Sequence, residues 1–170
     1  MKITRLELAV NDLMATQQFY AHRLCLPMVN ATYWSATFRV GWTELIFTQT
    51  QRPVASYRFA LNIPIYSLEQ YQLWFDLPYL SLDERGCRIA QFPNWQARAV
   101  CFLDPNGNIV EFIERQDAVC TEPGAYFQGV SEVGGPFTTY LSDSQPVCSP
   151  KPHICTCGKR ADVGALLAQA

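Results

Sequence analysis

An order of elements that occurs twice constrains this chain more than any other feature. Ile3 to Val10 alternates, with Leu6, Leu8 and Val10 on one side and Arg5, Glu7 and Ala9 on the other. That is the pattern of a strand with one face buried under a helix. Asn11 and Asp12 offer capping side chains, and Leu13, Thr16, Phe19, Tyr20 and Leu24 then recur at helical spacing, which predicts an amphipathic helix of about three turns. Trp34 to Val40 and Thr43 to Thr48 are β-rich runs meeting at Gly41-Trp42 as a hairpin, and Pro27 to Thr32 leaves room for one more strand. The order then restarts. Tyr57 to Ile63 alternates, with Phe59, Leu61 and Ile63 opposed to Arg58, Ala60 and Asn62, and Pro64 ends the strand. Ser67-Leu68-Glu69-Gln70 fits a capping box at the head of a helix running through Leu77. Cys87 to Phe92, Ala97 to Leu103 and Ile109 to Glu114 read as three strands. A turn at Asp104 to Asn108 joins the last two, where Pro105 sets φ and Gly107 accepts the left-handed conformation. The two opening strands lie about 55 residues apart, so the chain carries two β-α-β-β-β units in tandem. After Arg115 the periodicities fade, and the region beyond about residue 145 reads as a mobile tail.

Composition supports a packed domain and excludes several classes of function. Of the 170 residues, 49% are hydrophobic and 16% charged, which is enough to bury a core and rules out disorder over the whole length. The net charge of -2 includes only three lysines, Lys2, Lys151 and Lys159, so no basic stripe exists to displace counterions from nucleic-acid phosphates. No apolar run reaches the roughly 18 to 20 residues of a membrane span, and no signal peptide opens the chain, which predicts a soluble, cytoplasmic protein. Seven irregularly spaced cysteines make a disulfide framework a poor reading and a reducing compartment a better one, with Cys101 a small residue of an apolar strand. Dinucleotide and phosphate-binding glycine motifs, paired zinc-protease histidines and the nucleophile elbow are all missing. The Asp104 to Asn108 turn lacks the spaced oxygens and terminal Glu of a calcium loop.

Four segments carry a family likeness. ITRLELAVNDLMATQQFYAHRLCLP resembles the opening strand and helix of the vicinal oxygen chelate superfamily, which includes glyoxalase I, extradiol dioxygenases, and bleomycin- and fosfomycin-resistance proteins. YRFALNIP resembles the opening strand of the second module and DPNGNIVEFIER its closing hairpin, while GVSEVGGPF resembles an extension of some bacterial members. The likeness spans about residues 2 to 137. It implies an α+β fold in which two tandem βαβββ modules, about 1–50 and 56–116, form curled mixed sheets around a shared cleft. Residues 117–145 would form the extension and 146–170 a flexible tail, with a homodimer completing the assembly. In metal-dependent members, ligands on the opening and closing strands hold a divalent cation such as Fe, Mn, Ni or Zn that chelates vicinal oxygens of the substrate.

Placed on that pattern, the ligand positions fall on Arg5, Arg58 and Glu111. Arginine has no lone pair to give and is not deprotonated in proteins, so two of the three positions repel a cation. Glu44 stands one residue too close to its turn glycine, Gly41, to match Glu111 and Gly107, which predicts that it faces away from the cleft. His22 reads as a helix-surface residue, and His153 with Cys148, Cys155 and Cys157 has zinc-ligand types in a weak spacing. No metal is expected in the cleft.

With Arg5, Glu7, Arg58, Asn62, Arg98 and Glu111 on one face, the cleft would hold three positive and two negative charges, a net of about +1. Two readings stay open. Arg58 and Glu111 form a bidentate ion pair that fills the vacated metal position, or the surplus arginine clamps a carboxylate or phosphate of a small molecule. In the second case Asn62 orients the ligand, and Trp34, Trp42, Trp95 or Phe38, residue types more often found in a core than in a pocket, wall it in. The function expected is binding of a small anionic molecule by a protein with a degenerate metal site. A metal-dependent lyase or ring-cleaving dioxygenase using Glu111 is the alternative, and a ligand-free structural or regulatory dimer the third. Whether any reaction is catalysed stays open at this point.

Overall fold

The computed structural model describes residues 2–116 and 125–135. The first unit consists of β1 (Arg5–Val10), α1 (Leu13–Gln18), β2 (Met28–Ala31), β3 (Ser35–Val40) and β4 (Thr43–Gln49). The second consists of β5 (Arg58–Ile63), α2 (Leu68–Trp74), β6 (Ala90–Phe92), β7 (Ala97–Leu103) and β8 (Ile109–Arg115), and β9 (Gly129–Gly134) follows it. The strands form two mixed sheets, in the orders β1-β4-β3-β2 and β6-β7-β8-β5-β9. In each unit the opening strand runs parallel to the closing one, β1 with β4 and β5 with β8, and the remaining neighbours are antiparallel. The α+β class expected of the tandem repeat is therefore the one observed. The described part holds no helix long and apolar enough to cross a membrane.

β9 is the strand that the sequence pattern did not announce. It pairs antiparallel with the free edge of β5, and an isolated bridge from Val130 to Ile3 ties it to the start of the first unit. A bulge falls between Ala60 and Leu61 of that pairing, and such an irregularity hides the period-two pattern. The contact is close. A Cβ at Gly129 would run into the Trp42 ring of the β3–β4 hairpin, and the Trp42 amide donates to the Gln128 carbonyl at 3.2 Å. Lys2 places its ammonium 4.6 Å from the centre of the same ring.

One face of each sheet carries the helices and the core. Leu8 and Val10 of β1, Phe38 of β3, Leu45 and Phe47 of β4, Phe59, Leu61 and Ile63 of β5, and Phe102 and Phe112 of β7 and β8 belong to one buried cluster spanning both units. Full burial of each large side chain contributes about 1.5–3 kcal/mol. Tyr20 lies inside this cluster, its ring stacked 4.5 Å from Phe47. The helix predicted from Leu13 to Leu24 is present in two parts. α1 ends at Gln18, and Phe19–Arg23 continue as a wider π turn closed by Leu24 N–H on the Phe19 carbonyl at 3.1 Å.

Two local expectations are revised. Ser67 makes no side-chain cap for α2; its hydroxyl donates to the Pro64 carbonyl at 2.5 Å. The Ser67 and Leu68 amides donate instead to Glu114 Oε2, each at 3.1 Å, because β8 brings a carboxylate under the helix N-terminus, where two orphan N–H groups and the helix dipole both favour it. The Asp104–Asn108 turn is also more than a hairpin connection. Gly107 takes φ +76° as the turn demands, while the turn's side chains grip α1 of the other unit. Asp104 Oδ2 accepts from Tyr20 OH at 3.0 Å and from Asn108 Nδ2 at 2.9 Å, and Oδ1 accepts from the Asn106 and Asn108 amides, both at 2.9 Å. Asn106 accepts from the Asp12 amide at 3.0 Å and donates to Thr16 Oγ1 at 2.8 Å. Burial pushes the Asp104 carboxyl pKa above its ordinary value, and these hydrogen bonds oppose the shift. Tyr20→Phe keeps the ring packing but leaves Asp104 one donor short. Urea unfolding should show a loss of about 1–2 kcal/mol, whereas an unchanged midpoint would mean that the turn does not lock the units together.

Candidate functional site

Strand register decides which side chains share the face opposite the helices. Cross-strand partners point to the same side, and successive residues alternate. On the first sheet, Arg5 lies opposite Glu44 and Glu7 opposite Ile46, while Glu44 and Ile46 in turn face Arg39 and Thr37 of β3. These residues therefore line one open face. Glu44 is not turned away, as the count from Gly41 suggested. The β3–β4 turn leaves from the helix-bearing face at Val40 and Thr43, whereas the β7–β8 turn leaves from the open face at Leu103 and Ile109, so a count from the two glycines does not transfer. The position in the first unit that corresponds to Glu111, two residues beyond the opening arginine and on the closing strand, is Ile46.

On the second sheet, Arg58, Ala60 and Asn62 share the open face with Ile109, Glu111, Ile113 and Arg115 of β8 and with Ala97, Ala99 and Cys101 of β7. Glu132 of β9 joins them opposite Ala60. Arg98 does not. It pairs in register with Glu114 on the helix-bearing face, where its Nε donates to Glu114 Oε1 and its Nη1 to Glu69 Oε1, both at 2.6 Å. The signal was in the sequence: Arg98 alternates in step with Val100 and Phe102, which are core residues.

The electrostatic balance changes accordingly. With Arg98 removed and Arg39, Arg115, Glu44 and Glu132 added, the open face holds four described guanidinium–carboxylate pairs, and the surplus of +1 disappears. Arg39 meets Glu44 at 3.0 Å, Arg115 meets Glu132 at 3.1 Å and Arg58 Nε meets Glu111 Oε1 at 3.4 Å. Arg5 and Glu7 approach only to 3.9 Å, with side chains 65% and 56% exposed. The expected contact between Arg58 and Glu111 is thus present, through Nε rather than as a two-pronged fork. No described hydrogen bond or ion pair joins the Arg5–Glu7 group to the Arg58–Glu111 group.

Burial pushes the Glu111 carboxyl pKa above its ordinary 4.5; the Arg58 guanidinium opposes this shift and the Glu132 charge adds to it. Cys101, in register with Glu111, has its thiol pushed well up, by burial first and then by that carboxylate, so it is a protonated thiol rather than a nucleophile at neutral pH. Asn62 is buried, and its Oδ1 has no hydrogen-bond partner among the described residues. Of the proposed wall residues, Phe38 is core, Trp42 is packed against Gly129, and Trp95 stacks on Phe92. Trp34 alone lines a cavity of about 530 Å³ on the first sheet, together with Arg5, Glu7, Glu44, Ile46 and Thr48.

For a divalent metal, the chemistry of these positions is unfavourable. Arg5, Arg58 and Ile46 have no lone pair to offer, Glu111 is already engaged by a cation, and no cluster of three His, Cys, Asp or Glu side chains among the described residues could hold an ion. His22 is exposed at the end of the π turn, and His153, Cys148, Cys155 and Cys157 lie outside the described residues.

Glu111 supplies a test with a definite sign. A carboxyl whose folded pKa is raised contributes stability that is full below its unfolded value and is lost as pH rises through the folded value. Glu111→Gln should therefore gain stability relative to the wild type as pH rises from 4 to 8, as denaturant unfolding at each pH would show. A difference independent of pH would contradict the raised value.

No family model and no curated protein matches the sequence. Solved structures do match. Lactoylglutathione lyase from Agrobacterium tumefaciens is 21% identical, covering 66% of this chain and 92% of its own, with a TM-score of 0.56. A glyoxalase/bleomycin resistance protein/dioxygenase from Nocardioides is 17% identical, covering 73% and 88%, with a TM-score of 0.51. At such identities the likeness is one of fold.

Proposed function

From the vicinal oxygen chelate fold that this chain has, we propose that it binds a small anionic molecule on the open face of the first sheet, with arginines standing where the fold's metal-dependent members carry ligands. The observation that supports this reading is the looseness of the Arg5–Glu7 pair. At 3.9 Å, with both side chains more than half exposed, the pair is worth about 0–1 kcal/mol. Glu7 does not depend on it, because Thr48 Oγ1 donates to Glu7 Oε1 at 3.0 Å. Arg5 can therefore turn to a ligand carboxylate or phosphate at little cost and offer it a planar fork of donors. The apolar part of the ligand would rest on Trp34 and Ile46, which line the same cavity. The other three open-face arginines are held more closely by their carboxylates.

Titration calorimetry with benzoate, oxalate and inorganic phosphate tests the reading. At least one should bind saturably, and Arg5→Ala should weaken it about tenfold or more, equivalent to about 1.4 kcal/mol. The more enclosed Arg58 should matter less. Failure of all three anions to bind, or an unaltered affinity in Arg5→Ala, would overturn the proposal. One tightly held Fe, Mn, Ni or Zn per chain, lost in Glu111→Ala, would favour the metal-dependent lyase or dioxygenase instead.

A further inference from the structure

The turn that grips α1 contains a chemically labile bond sequence. Asn106-Gly107 is the only Asn-Gly pair in the chain. Glycine has no Cβ to shield its nitrogen or restrict its dihedrals, so in such a pair the backbone nitrogen can reach the side-chain carbonyl carbon of the residue before it. Once solvent hydroxide takes its proton, the Gly107 nitrogen bonds to Asn106 Cγ, the Cγ–Nδ2 bond breaks, and ammonia leaves. The product is a cyclic succinimide. Water then adds to one of its two carbonyls and opens the ring, which leaves aspartate or, where the backbone carbonyl is attacked, isoaspartate.

The fold holds every group that this reaction needs. The Gly107 N–H donates to the Asp104 carbonyl at 3.0 Å. The Asn106 carboxamide is pinned at both ends to the start of α1, Oδ1 by the Asp12 amide at 3.0 Å and Nδ2 by Thr16 Oγ1 at 2.8 Å. Bringing Cγ to the Gly107 nitrogen therefore breaks three hydrogen bonds, two of them between the units.

The same contacts decide what the product does. The buried Thr16 hydroxyl gives its one proton to the Asp12 carbonyl at 2.6 Å, so it presents only lone pairs to residue 106. An amide meets them with a donor, and a carboxylate has none to give. Its charge would also join those of Asp12, bonded to this side chain through its backbone amide, and Asp104, whose Oδ1 accepts from the Asn106 amide at 2.9 Å. Isoaspartate lengthens the backbone by a methylene inside a turn whose spacing the bond from the Asp104 amide to the Asn108 carbonyl fixes at 2.9 Å.

We propose that Asn106 is a hydrolytic modification site that acts as a one-way switch: its contact with α1 keeps the amide intact, opening of that contact exposes it to deamidation, and the acid formed keeps the contact from closing again. The Arg5 cavity shares none of these residues, so the two proposals are independent.

The test incubates the full chain at pH 8, in buffer and in urea, and follows conversion at Asn106 by peptide mass spectrometry. Conversion should be about tenfold or more slower in buffer than in urea, because a protected site reacts only through local opening. Thr16→Val removes the partner of Nδ2 at nearly constant volume and should speed conversion in buffer about fivefold, as one lost hydrogen bond implies, but not in urea. Leu61→Val, a core change away from the turn, should leave the rate in buffer unaltered. Asn106→Asp should unfold at a lower urea concentration than the wild type at pH 7, and the difference should shrink near pH 3, where the protonated acid can donate to Thr16 again. The proposal is overturned if Asn106 stays intact in urea, if buffer and urea give one rate, if Thr16→Val reacts no faster than the wild type or than Leu61→Val, or if Asn106→Asp matches the wild-type stability at pH 7.

Discussion

The parallel pairing of opening and closing strand in each unit, β1 with β4 and β5 with β8, is the constraint from which the rest of the molecule follows. Because side chains alternate along a strand, one register assigns every residue of a sheet to the helix side or the open side. In the second unit it sends Phe59, Leu61, Ile63 and Phe112 into the core and Arg58, Asn62, Glu111 and Arg115 to the opposite face. A slip by one residue would bury guanidinium groups in an aromatic core, at several kcal/mol for each unpaired charge. Hydrophobic pressure on one side thus fixes the polar arrangement on the other.

Charge neutralisation is the theme of that polar face. Each of its four arginines has a carboxylate within 4 Å, and the most buried carboxylate, Glu111, lies beside Arg58. A guanidinium there does two things at once. It offers no lone pair to a cation, and it compensates part of the desolvation of the carboxylate beside it. The open faces of the two sheets are consequently balanced in charge, and Arg5 is their most loosely held arginine.

Much of this was legible in the sequence, for a physical reason: period-two alternation and helical spacing are strong signals when one face packs on a single core. The tandem repeat, its element order and the contact between Arg58 and Glu111 could all be read that way. What escaped reading depended on geometry between segments. Glu44 was assigned to the wrong face because turn glycines were used as rulers, and Arg98 because it was added to the cleft without reference to Val100 and Phe102, the core residues of its own strand. Glu132 was missed because a bulge breaks the pattern of β9. The grip of the Asp104–Asn108 turn on α1 joins residues more than 80 positions apart, and the Glu114 cap joins residues more than 45 positions apart, separations at which local motifs carry no information.

A carbon-detected pH titration of the Glu111 carboxyl, in the wild type and in Arg58→Met, tests most directly whether the Arg58 guanidinium governs the carboxyl beside it. The account predicts a wild-type midpoint above 4.5 and a further rise when the arginine is removed. A midpoint that does not move on removal of Arg58 would show that the two groups are electrostatically independent and would contradict it.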